Sequence, residues 1–416
     1  MRVFKFGGAS VRDAEGVKNV VQVLTQTGHQ ETVIVISAMG KMTNALEAVV
    51  SGYFAQPQTH LEAFQEVEEF HRRIVADLFN GQNPAIEERV KNTLGKCRTF
   101  LENNRSPHSS FVYDQVVSYG ELLSTSIVCA YLNHMGIDAA WIDARNCIKT
   151  DNYYRSAHLD WERTQTAVQQ QMQGTVLKVT QGFIGSDDNN FTTTLGREGS
   201  DYSAAIIAYC LGATAVTIWK DVPGVLNADP RVFDKTQLLH HISYQEAIEL
   251  AFYGASVIHP KTLQPLQRKE IPLFVKSFLN PKEPGTQVGK GVHMRPEVPC
   301  YIVKKGLSLL RLSTRDFSFI VEDNISDIFK LLHEHKMSVD LIQNSAISFS
   351  VCIYDKYNKM ESLLHALRAR FDVQHRANVD LYTIRHYDDK AEQELLKAHE
   401  LVLEQRTQTT LQLVMK

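Results

Sequence analysis

Short runs rich in β-branched and aromatic residues recur along the chain with helical patterns between them: Val3–Phe6, Thr32–Ser37, Asp138–Ile142, Val176–Gln181, Ala215–Trp219 and Pro272–Lys276. This alternation constrains the fold most, because it is the pattern of strands that run parallel and are joined by covering helices. Val17, Val20, Val21 and Leu24 follow the first run at i, i+3, i+4 and i+7, the stripe a helix needs to cover one face of a sheet. The opening unit therefore reads as β-α-β. Leu61, Phe64, Val67, Phe70, Ile74 and Leu78 then repeat every three or four positions, and a second helical stretch runs from Ile86 to Asn103. Together they predict a helical insertion over about 58–105, closed by Pro107 and followed by a strand over Ser109–Val112.

The sheet pattern ends after Phe274-Val275-Lys276, and a stretch rich in Pro and Gly from Asn280 to Pro299 marks a boundary. The expected organisation is a first domain over 1–280, a linker over 281–300 and a second region over 301–416. Gly285-Thr286-Gln287-Val288-Gly289-Lys290-Gly291 inside the linker reads as a turn. Beyond it, strands at Tyr301–Val303 and Leu307–Leu312, a helix at Ile325–His335, strands at Ser338–Leu341 and Ser348–Ile353 and a helix at Lys359–Arg370 resemble a small βαββαβ domain. A strand at Leu381–Arg385, a helix at Ala391–Glu404 and a strand at Thr410–Val414 make a shorter remnant of a second such module.

Charge narrows the partner class. The 416 residues carry 44 basic and 47 acidic side chains, a formal charge of −3, and the pI is about 6.6. A nucleic-acid-binding surface is not expected from that balance, so phosphate, if handled, belongs to a small molecule. The six cysteines lack a C-x-x-C pair or zinc-ligand spacing and read as buried free thiols, with no protein-held metal site. Neither a signal-peptide core nor a run of about 18 apolar residues is present, which predicts a cytoplasmic protein with no membrane partner.

Neither G-x-x-x-x-G-K-[ST] nor G-x-G-x-x-G occurs. In Lys5-Phe6-Gly7-Gly8-Ala9-Ser10 a strand delivers a lysine and two glycines just before a helix. Backbone N–H groups can approach a phosphate there without Cβ interference, and Lys5 adds a full charge. A tight βα turn with an incidental lysine has the same appearance. Thr192-Thr193-Thr194-Leu195-Gly196-Arg197-Glu198-Gly199-Ser200-Asp201 gathers hydroxyls, glycines and opposite charges at the start of the apolar helix Tyr202–Leu211. Ser200 or Asp201 could simply cap that helix, but capping does not call for Arg197, whose fork suits a carboxylate. The double turn from Trp219 to Arg231 follows a strand end, where ligands of open α/β sheets bind, and Lys220 and Arg231 suit a polyphosphate.

KFGGAS at 5–10, SAMGKMTNAL at 37–46, SYGELLST at 118–125, TTLGREGSD at 193–201, WKDVPGVLNADPR at 219–231 and GASVIHPKTL at 254–263 together resemble the aspartate kinases. The resemblance spans essentially the whole chain, and the motifs stand in the family's order. It implies the α/β amino-acid kinase fold, a mostly parallel sheet between helices, followed by an α+β, ferredoxin-like regulatory region of ACT type. The second ACT module looks truncated here. The implied reaction transfers the γ-phosphoryl group of ATP, with Mg²⁺, to the side chain of L-aspartate, giving 4-phospho-L-aspartate, the entry step to lysine, threonine and methionine. An ionised acceptor with an ordinary pKa near 3.9 needs no general base.

By the same resemblance, Lys5 stabilises the transferring phosphoryl group and Asp201 positions Lys5. Gly7, Gly8 and Ser37 lie near the phosphates, and Lys220, Asp221 and Arg231 belong to the nucleotide site. Arg197 binds the α-carboxylate of the substrate, Glu121 its amino group, and Thr43 and Ser200 lie beside it. Ala9 stands where Thr is common, Glu198 where some relatives carry Gly, and Ser256 where some carry Lys. ACT pairing implies a homodimer, with an amino acid as a possible effector. The alternatives are another amino-acid kinase of the glutamate or acetylglutamate type, and a non-catalytic ACT-type sensor.

Overall fold

The computed structural model describes residues 1–55, 59–255, 258–316, 318–397 and 399–416; Gln58, where the insertion was expected to begin, and Ser256 lie outside them. The chain forms two compact units, Met1–Val225 with Leu238–Ile248 and Val257–Pro296, and Leu226–Gln237 with Glu249–Ser256 and Glu297–Lys416.

The first unit begins with β1 (Arg2–Phe6), α1 (Ala14–Thr27) and β2 (Thr32–Ile36). Asp13 caps α1 by accepting from the Gly16 N–H, and Val17, Val20, Val23 and Leu24 form its buried stripe. Four helices follow, α2 (Met42–Ala55), α3 (Thr59–Phe79), α4 (Pro84–Asn103) and α5 (Ser109–Val117), then α6 (Tyr119–His134) and β3 (Ala139–Ile142). Phe64, Val67, Ile74, Val90 and Leu94 of α3 and α4 share one core with Phe4, Phe6, Ile34 and Ile36, so the helical insertion is built into the core of this unit. Ser109–Val112, expected as a strand, is the first turn of α5. Val112, Val116 and Val117 are buried at helical spacing, and a four-residue window is too short to reveal it.

The unit continues with α7 (Trp161–Gln171), β4 (Leu177–Gln181), β5 (Ile184–Ser186), β6 (Thr192–Thr194), α8 (Gly199–Leu211) and β7 (Ala215–Lys220). Short β8 (Val225–Leu226), β9 (Leu238–Leu239) and β10 (His241–Ser243) precede α9 (Tyr244–Tyr253), α10 (Pro260–Arg268), β11 (Leu273–Ser277) and β12 (Thr286–Gly289). The main sheet has the order β10-β12-β11-β7-β1-β2-β4-β3, parallel except where β12 runs against β11. β12 occupies part of the glycine-rich stretch expected to turn: Val288 is fully buried, and pairing with β11 and β10 satisfies a backbone that the local sequence leaves open. β1 and β2 are central and every residue of β2 is buried, which explains the unbroken apolar run.

In the second unit, β13 (Cys300–Ser313), α11 (Glu322–Glu334), β14 (Ser338–Asn344), β15 (Ser348–Tyr354), α12 (Met360–Arg368) and β16 (Asp372–Arg385) form the expected βαββαβ order. α13 (Asp389–Leu396), β17 (Leu401–Arg406) and β18 (Thr410–Met415) complete a six-stranded sheet of order β14-β15-β13-β16-β18-β17. The two strands expected at 301–303 and 307–312 are one strand, β13, with a register irregularity between Lys304 and Leu307. Its first half and the end of β16 serve a second core of Tyr382, Ile384, Leu395, Leu411 and Leu413. The helix expected to reach Glu404 stops at Leu396, because 401–406 pairs with β18 instead.

Candidate active site

The carboxyl ends of the central parallel strands and the start of α8 surround a cleft of about 570 Å³. Lys5, Ser37, Thr43, Glu121, Arg197, Ser200, Asp201 and Lys220 line it, residues drawn from six separate parts of the sequence. β1 ends just beyond Lys5, whose Nζ meets Asp201 Oδ1 at 2.6 Å, both side chains being buried. Lys220 Nζ stands 3.8 Å from the other oxygen of Asp201. One carboxylate thus holds two ammonium groups at one wall of the cleft, and fixed cations of this kind suit a group carrying several negative charges.

Two glycines shape the turn that follows Lys5. A Cβ on Gly8 would lie 2.7 Å from the Gly40 carbonyl and 2.9 Å from the Ala38 carbonyl, so only glycine lets the turn after β1 close on 38–40. Gly7 leads into that turn, and a Cβ there would come within 3.3 Å of Lys5 Nζ.

Glu121 sits in the first turn of α6, fully enclosed, and its Oε1 accepts from the Ala38 N–H at 3.2 Å. Burial pushes its carboxyl up to about 8, against the opposing pull of that N–H and of Lys5. Its Oε2 is buried and has no hydrogen-bond partner among the described residues. Neither Ser200 nor Asp201 caps α8. The cap position belongs to Glu198, which is left-handed with φ of 52° and makes no side-chain capping bond.

Four expected residues do not line the cleft: Gly7 and Gly8 form the turn behind Lys5, and Asp221 and Arg231 stand elsewhere. Asp221, next after Lys220, is exposed and does not line the cleft. Arg231 belongs to the second unit, is 82% exposed and is engaged with Asp229 at 2.7 Å. Conversely, Asn44, Glu47, Tyr113, Arg155 and Phe183 line the cleft without having been singled out from the sequence. Arg155 is held in place by its backbone: its N–H donates to both oxygens of buried Asp114 at 3.0 Å, and its guanidinium lies over Tyr113 and bonds Glu47 at 3.2 Å. Phe183 had a signal, since it interrupts the glycine-bearing loop 182–185; no local signal marks the others. All six cysteines are buried and free, and no group of three His, Cys, Asp or Glu among the described residues could hold a metal ion.

The profile of the amino acid kinase family matches residues 1–277. Lysine-sensitive aspartokinase 3 of Escherichia coli (strain K12) is 32% identical over 354 residues, which cover 84% of this chain and 78% of that protein. The chain belongs to the aspartokinases of the amino acid kinase family. Aspartokinase 1, chloroplastic, of Arabidopsis thaliana is 33% identical over 368 residues, 84% of this chain and 63% of that one. This aspartokinase chain also superposes on the crystal structure of E. coli aspartokinase III in complex with aspartate and ADP, with a TM-score of 0.80 and 28% identity over 100% of this chain and 96% of the other. Its likeness to the same enzyme in complex with lysine and aspartate has a TM-score of 0.83 over 100% and 95%. The α/β fold with a smaller α+β region is therefore that of the aspartokinases.

Proposed function

We propose that this chain is an aspartate kinase, transferring the γ-phosphoryl group of ATP to the side-chain carboxylate of L-aspartate to give 4-phospho-L-aspartate and ADP, the first step toward lysine, threonine and methionine. The observation that carries the reading is the polarity of the cleft: Lys5 and Lys220 on Asp201 at one wall, with Arg197 and Glu121 lining the same space. Two anions must meet in line, and the residues available neutralise and orient rather than exchange protons. The acceptor carboxylate is already ionised at neutral pH, so positioning and charge stabilisation suffice.

In this reading Lys5 bears on the moving phosphoryl group and Asp201 fixes its direction. Gly7, Gly8 and Ser37 border the phosphates, with Lys220 assigned to the nucleotide. Arg197 takes the α-carboxylate of aspartate, Glu121 faces its ammonium group, and Thr43 and Ser200 flank it. The residues fit Mg²⁺ brought in on ATP rather than caged by protein, since Asp201 is engaged by two lysines and Mg²⁺ retains water and phosphate ligands. When bound, the ion would neutralise phosphate charge. We assign the unit built on 1–280 together with β12 to catalysis and 301–416 to regulation, with pairing of the latter region into a homodimer, an amino-acid effector and a cytoplasmic location. No described helix is long and apolar enough to cross a membrane.

Trapping of the acyl phosphate as a hydroxamate, with aspartate, glutamate and N-acetylglutamate offered in parallel, tests the reaction. Aspartate should be preferred; preference for either other acceptor overturns the reading. Lys5→Ala should lower kcat by about 10²- to 10³-fold with little change in the KM for aspartate. Arg197→Ala should instead raise that KM by about 10- to 100-fold, as expected for loss of a charged hydrogen-bonding pair. Unchanged kinetics in both variants would place the site elsewhere.

A further inference from the structure

Glu198 carries two unfavourable features at once. Its backbone is left-handed, with φ of 52°, a conformation that side chains other than glycine adopt at a cost. Its Oε2 is buried and has no hydrogen-bond partner among the described residues, and a buried unpaired carboxylate oxygen is costly. The side chain makes no cap for α8 although it stands at the cap position. Strain of the same kind recurs around the cleft: Arg155 and Phe183, with φ of 70° and 71°, also line it.

The chemistry of the neighbours says what Glu198 awaits. It lines the same cleft as Glu121, whose Oε2 is likewise buried and unpartnered. Arg197 and Glu198 line the same cleft, which therefore offers both charges that an α-amino acid carries. Three N–H donors of an ammonium group can engage two glutamate side chains together. A metal ion is a poorer match, since the described residues offer no group of three ligands, and an anion would be repelled.

We infer that Glu198 is a second ammonium-recognising residue, which with Glu121 selects acceptors bearing a free, charged α-amino group. This rests on the proposed function, specifically on Arg197 as the carboxylate partner. Acceptors whose nitrogen is absent or acylated would leave the Glu198 carboxylate unpaired in the cleft, so discrimination arises from an unmatched buried charge as well as from attraction.

The test uses the full-length chain as wild type, Glu198→Gln and Glu198→Gly; the glycine variant also relieves the left-handed backbone, so a folded variant is secured and its Tm should equal or exceed that of the wild type. Calorimetric titration with aspartate, and with succinate as the same diacid lacking the ammonium group, reads the inference directly. Both variants should bind aspartate about tenfold more weakly, about 1.4 kcal/mol, and succinate as well as or better than the wild type does, while the KM for ATP and the Mg²⁺ requirement stay unchanged. Equal shifts for aspartate and succinate, no shift, or a change in the ATP or Mg²⁺ dependence instead would overturn it. Hydroxamate formation separates the two readings: a wild type that binds aspartate without phosphorylating it defeats the kinase assignment alone, and one that phosphorylates it while the variants keep the aspartate-to-succinate ratio defeats this inference alone. A wild type that binds no aspartate defeats both.

Discussion

Glu121 shows how burial rather than residue type sets the chemistry of a single group. Its carboxyl has an ordinary value of 4.5 and is pushed to about 8 by enclosure. Between those values the folded chain keeps a proton that the unfolded chain has released, so this group makes stability fall as pH rises through the window, with the full cost reached above about 8. Glu121→Gln should flatten that dependence, which urea denaturation midpoints of both proteins from pH 5 to pH 8.5 would reveal; parallel curves would mean that the group ionises freely. The S-x-G-E motif brings Glu121 to attention in the sequence. Its burial is not legible there, because α6 is covered on nearly all sides and so carries no polar face from which an orientation could be read.

At the scale of elements, Asp114 joins segments far apart in the chain. Its carboxylate accepts from the Arg155 N–H, from the Thr194 N–H at 2.8 Å and from the Thr194 hydroxyl at 2.9 Å, tying α5 to the loop before α7 and to β6. Burial raises its carboxyl to about 6 despite those donors. Asp114→Ala strands two backbone N–H groups and should destabilise the protein by about 2–4 kcal/mol. Asp114→Asn, which keeps one acceptor, should lose less; equal denaturation midpoints for the alanine variant and the wild type would refute the clamp. Residues 41 and 80 positions away cannot be paired from local pattern, and the strand first expected at Ser109–Val112 concealed even the helix that carries the clamp.

For the whole molecule, the path of the chain matters more than the boundary at 281–300. Leu226–Gln237 and Glu249–Ser256 belong to the unit formed mainly by 297–416. Phe233 lies 5.2 Å from Tyr301, the Tyr301 N–H donates to the Asn227 carbonyl at 2.7 Å, and Asn227 Nδ2 donates to the Pro299 carbonyl at 2.9 Å. A fragment ending at Pro296 would expose those partners. It should melt below the full-length chain and bind a hydrophobic dye that the full-length chain does not; identical melting would show that residues 1–296 are self-sufficient.

The sequence by itself determined the alternation of strands and helices, the change of pattern after residue 276 and the motif residues that line the cleft, because periodicity and turn chemistry act over a few neighbouring positions. Lys5 and Asp201, 196 positions apart, could be named from motifs; that they meet at 2.6 Å is a property of the folded sheet. Tertiary structure alone decided that β12 inserts against β11, that β13 and β16 each serve three hydrophobic clusters, that Arg155 reaches the cleft and that Glu121 and Glu198 are left with buried oxygens unpaired among the described residues. Each of these depends on which distant segments exclude water together, and no short window of sequence contains that information.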